Sequence, residues 1–210
     1  MTVLPELYEF PLDDECYKVR LALSLMGVAS RSRPVDMVPG REHEKPAFLR
    51  INPLGTLPVW VDGPVILREA ATIVLACARG LKAGNWLPAD PAAFGAVMDW
   101  LVFSVRDLHA AHQARDCALL GQEEPSPALR AQVRRAFNVM EDHMVLRHIG
   151  GHEWFADATP TIADILLFPA FALCRDYGVD HDGFPALRRW MRAMRTLPGF
   201  ITMPGIPDVT

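Results

Sequence analysis

Apolar positions along the first eighty residues switch repeatedly between two periods. Glu6 to Phe10 alternates as a short strand should; Asp14 to Gly27 then puts Val19, Leu21, Ala22, Leu25 and Met26 on one helix face, with Gly27 where a C-cap glycine belongs. Ser32 to Met37 reads as a second strand and Lys45 to Arg50 as a short helix. Leu57, Val59 and Val61 mark a third strand, Asp62-Gly63 a hairpin turn, Val65 to Leu67 a fourth strand, and an apolar helix opens at Arg68-Glu69. The order βαβαββα predicts a small mixed sheet flanked by helices, a thioredoxin-like α/β domain over residues 1–80.

The texture changes at Gly80 to Pro91, rich in Gly and Pro, and residues 81–90 read as a linker. Residues 91–210 are expected to be all-helical. Phe94, Val97, Leu101, Val105 and Leu108 keep three-to-four spacing, as do Leu129, Val133, Phe137, Met140 and Met144, with the run Gly121 to Pro127 a loop between them. Thr161 with Asp164 three residues on predicts a helix start of the capping-box kind. Pro169 predicts a kink in that helix, Pro185 to Met194 gives the last helix, and an irregular tail follows.

Composition narrows the function classes. Half of the 210 residues are apolar and 22% are charged, which is the make-up of a globular chain. A formal net charge of −4 offers no basic stripe for nucleic acid or an anionic membrane surface. No apolar run approaches the roughly 18 residues that cross a bilayer, and the amino terminus has no basic n-region. Cys16, Cys77, Cys117 and Cys174 show no zinc or redox spacing, so a reduced, cytoplasmic setting without a metal is expected.

Pro58 stands inside an apolar strand, where its missing N–H should break the ladder. A cis Leu57-Pro58 bond would turn the N–H and C=O of Leu57 outward, ready to pair with an extended peptide. The helix start beside Glu69 and Ala70 adds free N–H groups for a carboxylate and an acid for an ammonium. Together these describe a receptor for a small zwitterionic peptide.

The stretch Asn52 to Gly63 (NPLGTLPVWVDG), the acid Glu69, the run Leu7 to Leu23 (LYEFPLDDECYKVRLAL) and the segment Thr161 to Ile165 (TIADI) resemble, in order and spacing, the bacterial glutathione transferases whose amino-terminal motif runs F-P-L-S-G-N-C-Y-K-V-R. The resemblance implies that architecture, glutathione as co-substrate, a homodimer, and a small electrophile as second substrate. It assigns Leu57, Pro58, Glu69 and Ala70 to glutathione binding, with His43 over the glycyl carboxylate or else a solvated loop histidine. Leu12, Arg106 and His109 would border the second-substrate pocket. Arg106, His109 and His112 share a helical stripe suited to an anion or simply to solvent; a metal held by His109, His112 and Asp116 lacks the usual motif.

Two positions depart from the family's pattern. Asp13 occupies the place of the serine that donates a hydrogen bond to the thiolate, and an ionised carboxylate at about 4 Å would repel the thiolate by about 4 kcal/mol at an effective dielectric near about 20. The plainer role for Asp13-Asp14-Glu15 is to cap a helix and complement its dipole. Ala70 replaces a hydroxyl residue, forfeiting about 1.5–3 kcal/mol from a bond to a charged group. Tyr8 and Cys16 read as packing residues, and Tyr17, one helical turn from Asp13, as a weak substitute donor. The chain is accordingly expected to use glutathione on a small electrophile, or else to be a non-catalytic binder of this fold.

Overall fold

The computed structural model describes residues 4–80, 86–120 and 124–206. Strand β1 (Glu6–Glu9) leads into helix α1 (Asp14–Met26), then strand β2 (Arg31–Pro34), a single turn at Glu42–Glu44, helix α2 (Pro46–Leu49), strands β3 (Val59–Asp62) and β4 (Val65–Leu67), and helix α3 (Ala70–Gly80). The sheet order is β2-β1-β3-β4, with β1 parallel to β2 and antiparallel to β3, and β3 antiparallel to β4. This is the expected mixed sheet. The second strand ends three residues earlier than expected, because Val35 pairs with β1 through one last bond, Val35 N–H to Glu9 C=O at 2.8 Å, before the chain turns away.

Alternation sorts the strands' side chains. Leu7 and Trp60 belong to the large core with α1 and α3, whereas Tyr8, Val59 and Val61 join Phe48 of α2 and Val35 in a second cluster. Gly27 ends α1 at φ 67°, a left-handed conformation that glycine adopts without a Cβ penalty, and its N–H reaches back to Leu23 and Ser24.

The rest is helical: α4 (Pro91–Arg106), α5 (His109–Leu119), α6 (Pro127–Ile149), α7 (Ile162–Ala172), one turn at Cys174–Tyr177, another at His181–Gly183, and α8 (Pro185–Arg195). Part of the expected linker, residues 81–85, and part of the expected loop, residues 121–123, lie outside the described residues, as do the last four of the tail. The apolar period through Leu108 does not run as one helix. At Asp107-Leu108 the ladder slips, with the N–H groups of both residues reaching Phe103 C=O, and α5 starts afresh. Arg106 and His109 therefore sit on either side of a break.

Helix α7 is buried throughout and lies at the centre of the molecule, packed on α1, α4 and α8. Its start is the capping box expected from Thr161 and Asp164, and Pro169 lies within it. Asp164 does more than cap. Wholly buried, it accepts from Phe155 N–H at 3.1 Å, Thr161 N–H at 2.9 Å and Trp190 Nε1–H at 3.0 Å, tying the preceding loop and α8 to one carboxylate. Removing that acceptor leaves three buried donors unpaired, each costing about 1–3 kcal/mol. Asp164→Ala is therefore expected to lower stability by at least about 3 kcal/mol, read as a drop in the urea midpoint.

Candidate functional site

A groove of about 240 Å³ opens between the sheet domain and the helical bundle, lined by Glu15, Thr56, Leu57, Pro58, Arg68, Glu69, Ala70, Ser104, Val105, His109 and His112. Three sequence segments converge here. The first is the turn before β3. The Leu57-Pro58 bond is cis, Leu57 buries its side chain beside Cys16 and Val59, and among the described residues no hydrogen bond uses its N–H or C=O. Asn52 shapes this turn, donating from its amide to Thr56 C=O at 2.8 Å while accepting from Leu54 N–H at 3.1 Å.

The second segment is the start of α3. Glu69 precedes the helix and its C=O accepts from Ile73 N–H at 2.9 Å. Although its surface reaches solvent, the groove walls desolvate its carboxyl and push its pKa up; Glu15 adds to this, against the opposing pull of Lys18 and the Ala71 and Ala70 N–H groups. Ala70 itself is buried. Arg68 is turned away to the Ile51 C=O, at 3.0 Å from Nη2.

The third segment is the first turn of α1 facing α5. The three consecutive acids have three different partners. Asp13 caps the helix, accepting from Cys16 N–H at 2.6 Å; burial, then the charge of Asp14, pushes its carboxyl up to about 7, with His112 and the Cys16 N–H opposing. Asp14 is buried against His112, Oδ1 to Nδ1 at 2.6 Å. Burial opposes its ionisation, yet the hydrogen bond and charge of His112, with Lys18 and Arg115 behind, hold it down at about 2. Glu15 pairs with the buried Lys18 at 2.5 Å. For His112, burial favours loss of the proton, but the bond to Asp14 and the charges of Asp14, Asp116 and Asp13 prevail and raise its pKa to about 10.

Arg115, one turn further along α5 and buried, donates to the Leu12 C=O and, at 2.9 Å, from Nε to Asp176 Oδ2. The polar atoms of Asp13, Asp14 and His112 lie within 4.8 Å of one another, close enough for a shared cation. Each is already committed, however: Asp14 and His112 share a hydrogen bond and Asp13 serves the helix end.

The groove thus brings together Leu57, Pro58, Glu69, Ala70 and His109. Asp13 lies behind it in the cap. Leu12 is exposed on the approach loop, fixed through its carbonyl. His43 lines a separate depression of about 320 Å³ with Met37, Val38 and Leu120, its Nε2 3.5 Å from Glu44. Arg106 lines a cleft of about 350 Å³ between α4, α5 and α6 with Gln113 and Arg135, and pairs with Asp107 at 2.8 Å. His109 borders both that cleft and the groove. Reading the sequence alone places Arg115 a turn beyond the His109–His112 stripe but misses its burial and the Asp14–His112 pair. The one available signal was phase: Lys18 and Arg115 sit among buried neighbours, Tyr17 and Val19 in one case and Ala111 and Ala114 in the other, where a charge demands a partner.

A mixed four-stranded sheet with flanking helices, followed by a helical bundle that closes a groove at the start of α3, is the glutathione S-transferase architecture. The family models agree: the glutathione S-transferase N-terminal domain matches residues 16–79 and the C-terminal domain residues 108–193. The maleylacetoacetate isomerase of Rhizobium meliloti is 30% identical over 191 residues, 86% of each chain, and that of Pseudomonas aeruginosa 27% identical over 202 residues, 93% of each. The crystal structure of a possible glutathione S-transferase from Rhodopseudomonas palustris superimposes with a TM-score of 0.86 at 29% identity, covering 97% of this chain and all of that one. The chain belongs to the glutathione S-transferase family.

The buried ion pair gives a stability signature. The raised pKa of His112 contributes stability that is complete below its unfolded value of 6.5 and lost as pH rises through about 10. The lowered pKa of Asp14 contributes stability that is complete above 3.8 and lost as pH falls through about 2. These are two ends of one interaction, fully present between about pH 4 and 6.5. Asp14→Asn is expected to cost about 2–3 kcal/mol at pH 6, at or below the lower edge for buried pairs because His112 keeps some solvent contact. The gap between wild type and variant in urea denaturation should shrink from pH 6.5 to 10; a gap independent of pH would refute the assignment.

Proposed function

We propose that the groove binds glutathione and that the protein uses it on a small electrophilic substrate. The observation that carries this reading is the convergence at one groove of an unpaired Leu57 peptide, the α3 N-terminus at Ala70, and Glu69. Leu57 N–H and C=O would pair with the cysteinyl backbone, Ala70 N–H would take the γ-glutamyl carboxylate, and Glu69 the adjoining ammonium. Domains at residues 1–80 and 91–210, joined by 81–90, would supply the two sides. The name shared by two relatives, maleylacetoacetate isomerase, supports counting isomerisation beside conjugation among the uses of glutathione. His109 and the adjoining Arg106 cleft would border the second substrate; His43 and Leu12 stand farther from the groove's lining and hold a weaker claim.

A homodimer in the cytoplasm completes the proposal. Its support is the exposed apolar row on α4 and α6, including Val102, Val139 and Leu146, which a second copy would cover. One observation favours a second reading, a non-catalytic binder: Asp13 stands where the thiol-activating hydroxyl would be and is committed to the helix cap.

Calorimetric titration with glutathione, followed by turnover of a chromogenic aryl halide, separates the two: heat with turnover supports the enzyme, and no heat at millimolar glutathione leaves only a non-catalytic protein of this fold that binds another small molecule or a protein partner. Glu69→Gln keeps an oxygen for the helix start but removes the charge facing the ammonium. It is expected to weaken glutathione about tenfold to a hundredfold, the equivalent of about 1.5–3 kcal/mol, measured by the same titration.

A further inference from the structure

The start of α1 presents no side-chain hydroxyl to the groove. Thr56 Oγ1 accepts from the Asn52 amide at 3.0 Å, and Ser104 Oγ, buried, donates to Leu101 C=O at 2.7 Å. What faces the groove at that point is His112. Its ring is bonded to Asp14, the residue after Asp13, and its side chain keeps 20% of its surface exposed against 4% for Asp14. His112 thus lines the groove with Asp14 buried behind it at Nδ1 and Asp116 beside Nε2 at 3.4 Å.

We propose that His112 is a catalytic residue that stabilises the glutathione thiolate, an imidazolium fixed by Asp14 standing in for the missing hydroxyl. The inference rests on the reading that glutathione occupies the groove. The thiol S–H breaks, its proton leaves to water, and the sulfur keeps the electron pair beside the imidazolium. A positive group within about 4–6 Å lowers the pKa of an acid by about 1–3 units, and cysteine thiols beside a protonated histidine follow this rule. Asp14 acts as a positioning residue: buried and ionised, it keeps the proton on His112, which therefore serves as a fixed charge and not as a base.

The surrounding charges allow this. Glu15 is matched by Lys18 at 2.5 Å, and Glu69 is matched by the ligand's own ammonium. Arg115 is occupied by Leu12 and Asp176. Asp116, 3.4 Å from His112 Nε2, competes for the exposed edge of the ring; desolvation pushes its carboxyl pKa up, with the charge of His112 opposing. Asp13 is engaged by the Cys16 N–H, and the ring of His109 lies 6.1 Å from that of His112.

The test titrates the thiol of bound glutathione by its ultraviolet thiolate absorbance in wild type, His112→Gln, Asp14→Asn and His112→Lys, with affinities measured calorimetrically for glutathione and for S-methylglutathione. In wild type the bound thiol should titrate about one to two units below free glutathione. His112→Gln and Asp14→Asn should abolish that shift, cutting the thiolate fraction near neutral pH about tenfold or more, while His112→Lys restores part of it. Affinity for S-methylglutathione, which has no thiol to ionise, should change less than about threefold. A thiol titrating normally in wild type, or equally shifted in all four proteins, overturns the role of His112 while leaving glutathione binding intact. Failure of wild type to bind either ligand overturns the glutathione reading, and this inference with it.

Discussion

The first turn of α1 is held against α5 by opposite charges buried where the two halves of the chain meet. Asp14 meets His112, and Arg115 meets both the Leu12 carbonyl and Asp176. Taking such groups out of water costs several kcal/mol per ion, so the arrangement is stable only because each group finds a partner, His112 and Arg115 reaching across to Asp14 and the Leu12 carbonyl, and Asp176 pairing with Arg115 within the helical half. The same requirement fixes geometry. A greasy contact here would tolerate sliding, whereas a 2.6 Å ion pair between residues 98 apart in sequence sets where the helical bundle sits relative to the sheet. The groove between them inherits its width from that registration.

The acidic triplet illustrates how position overrides residue type. Asp13, Asp14 and Glu15 look interchangeable in the sequence, but successive residues at a helix start point in directions about 100° apart. One therefore folds back on the helix end, one faces α5, and one runs along α1 to Lys18. A carboxylate at the thiol position would be a handicap if it faced the sulfur. The Cys16 N–H engages Asp13 Oδ1, so that oxygen serves the helix end.

The architecture could be read from the sequence because it rests on local periodicity. The strand–helix order, the Gly27 cap, the Thr161–Asp164 box and the cis bond at Pro58 each follow from a few neighbouring residues, and each is found. The second cis bond, Val38-Pro39, carries no comparable clue, because Pro39 sits in a loop where proline is unremarkable. The break at Asp107-Leu108 was hidden for a related reason: apolar spacing continues across it, and only the hydrogen-bond slip at Phe103 marks the change. The site was legible in part. Leu57 and Glu69 could be found through backbone chemistry that the sequence encodes directly, but the pairing of Asp14 with His112 is a tertiary contact with no period, and two lone polar residues give no hint of their separation in space.

Glutathione binding and thiol activation make different demands on the chain, and this explains how one can persist without the other's usual residues. On the proposed reading, holding the tripeptide would need main-chain groups of Leu57 and Ala70 in fixed orientation, which any side chain compatible with the turn and the helix start allows. Ala70 would then forgo one hydrogen bond while keeping its N–H for the ligand. Activation needs only a lower free energy for the sulfur anion than for the thiol, and a donor hydroxyl is one source of that field among several. A groove with Glu15 and Glu69 on its walls would otherwise work against an anion. Lys18 offsets Glu15; on the proposed reading the ligand's ammonium would offset Glu69, and His112, with Asp14 buried behind it, would supply the charge that favours the anion.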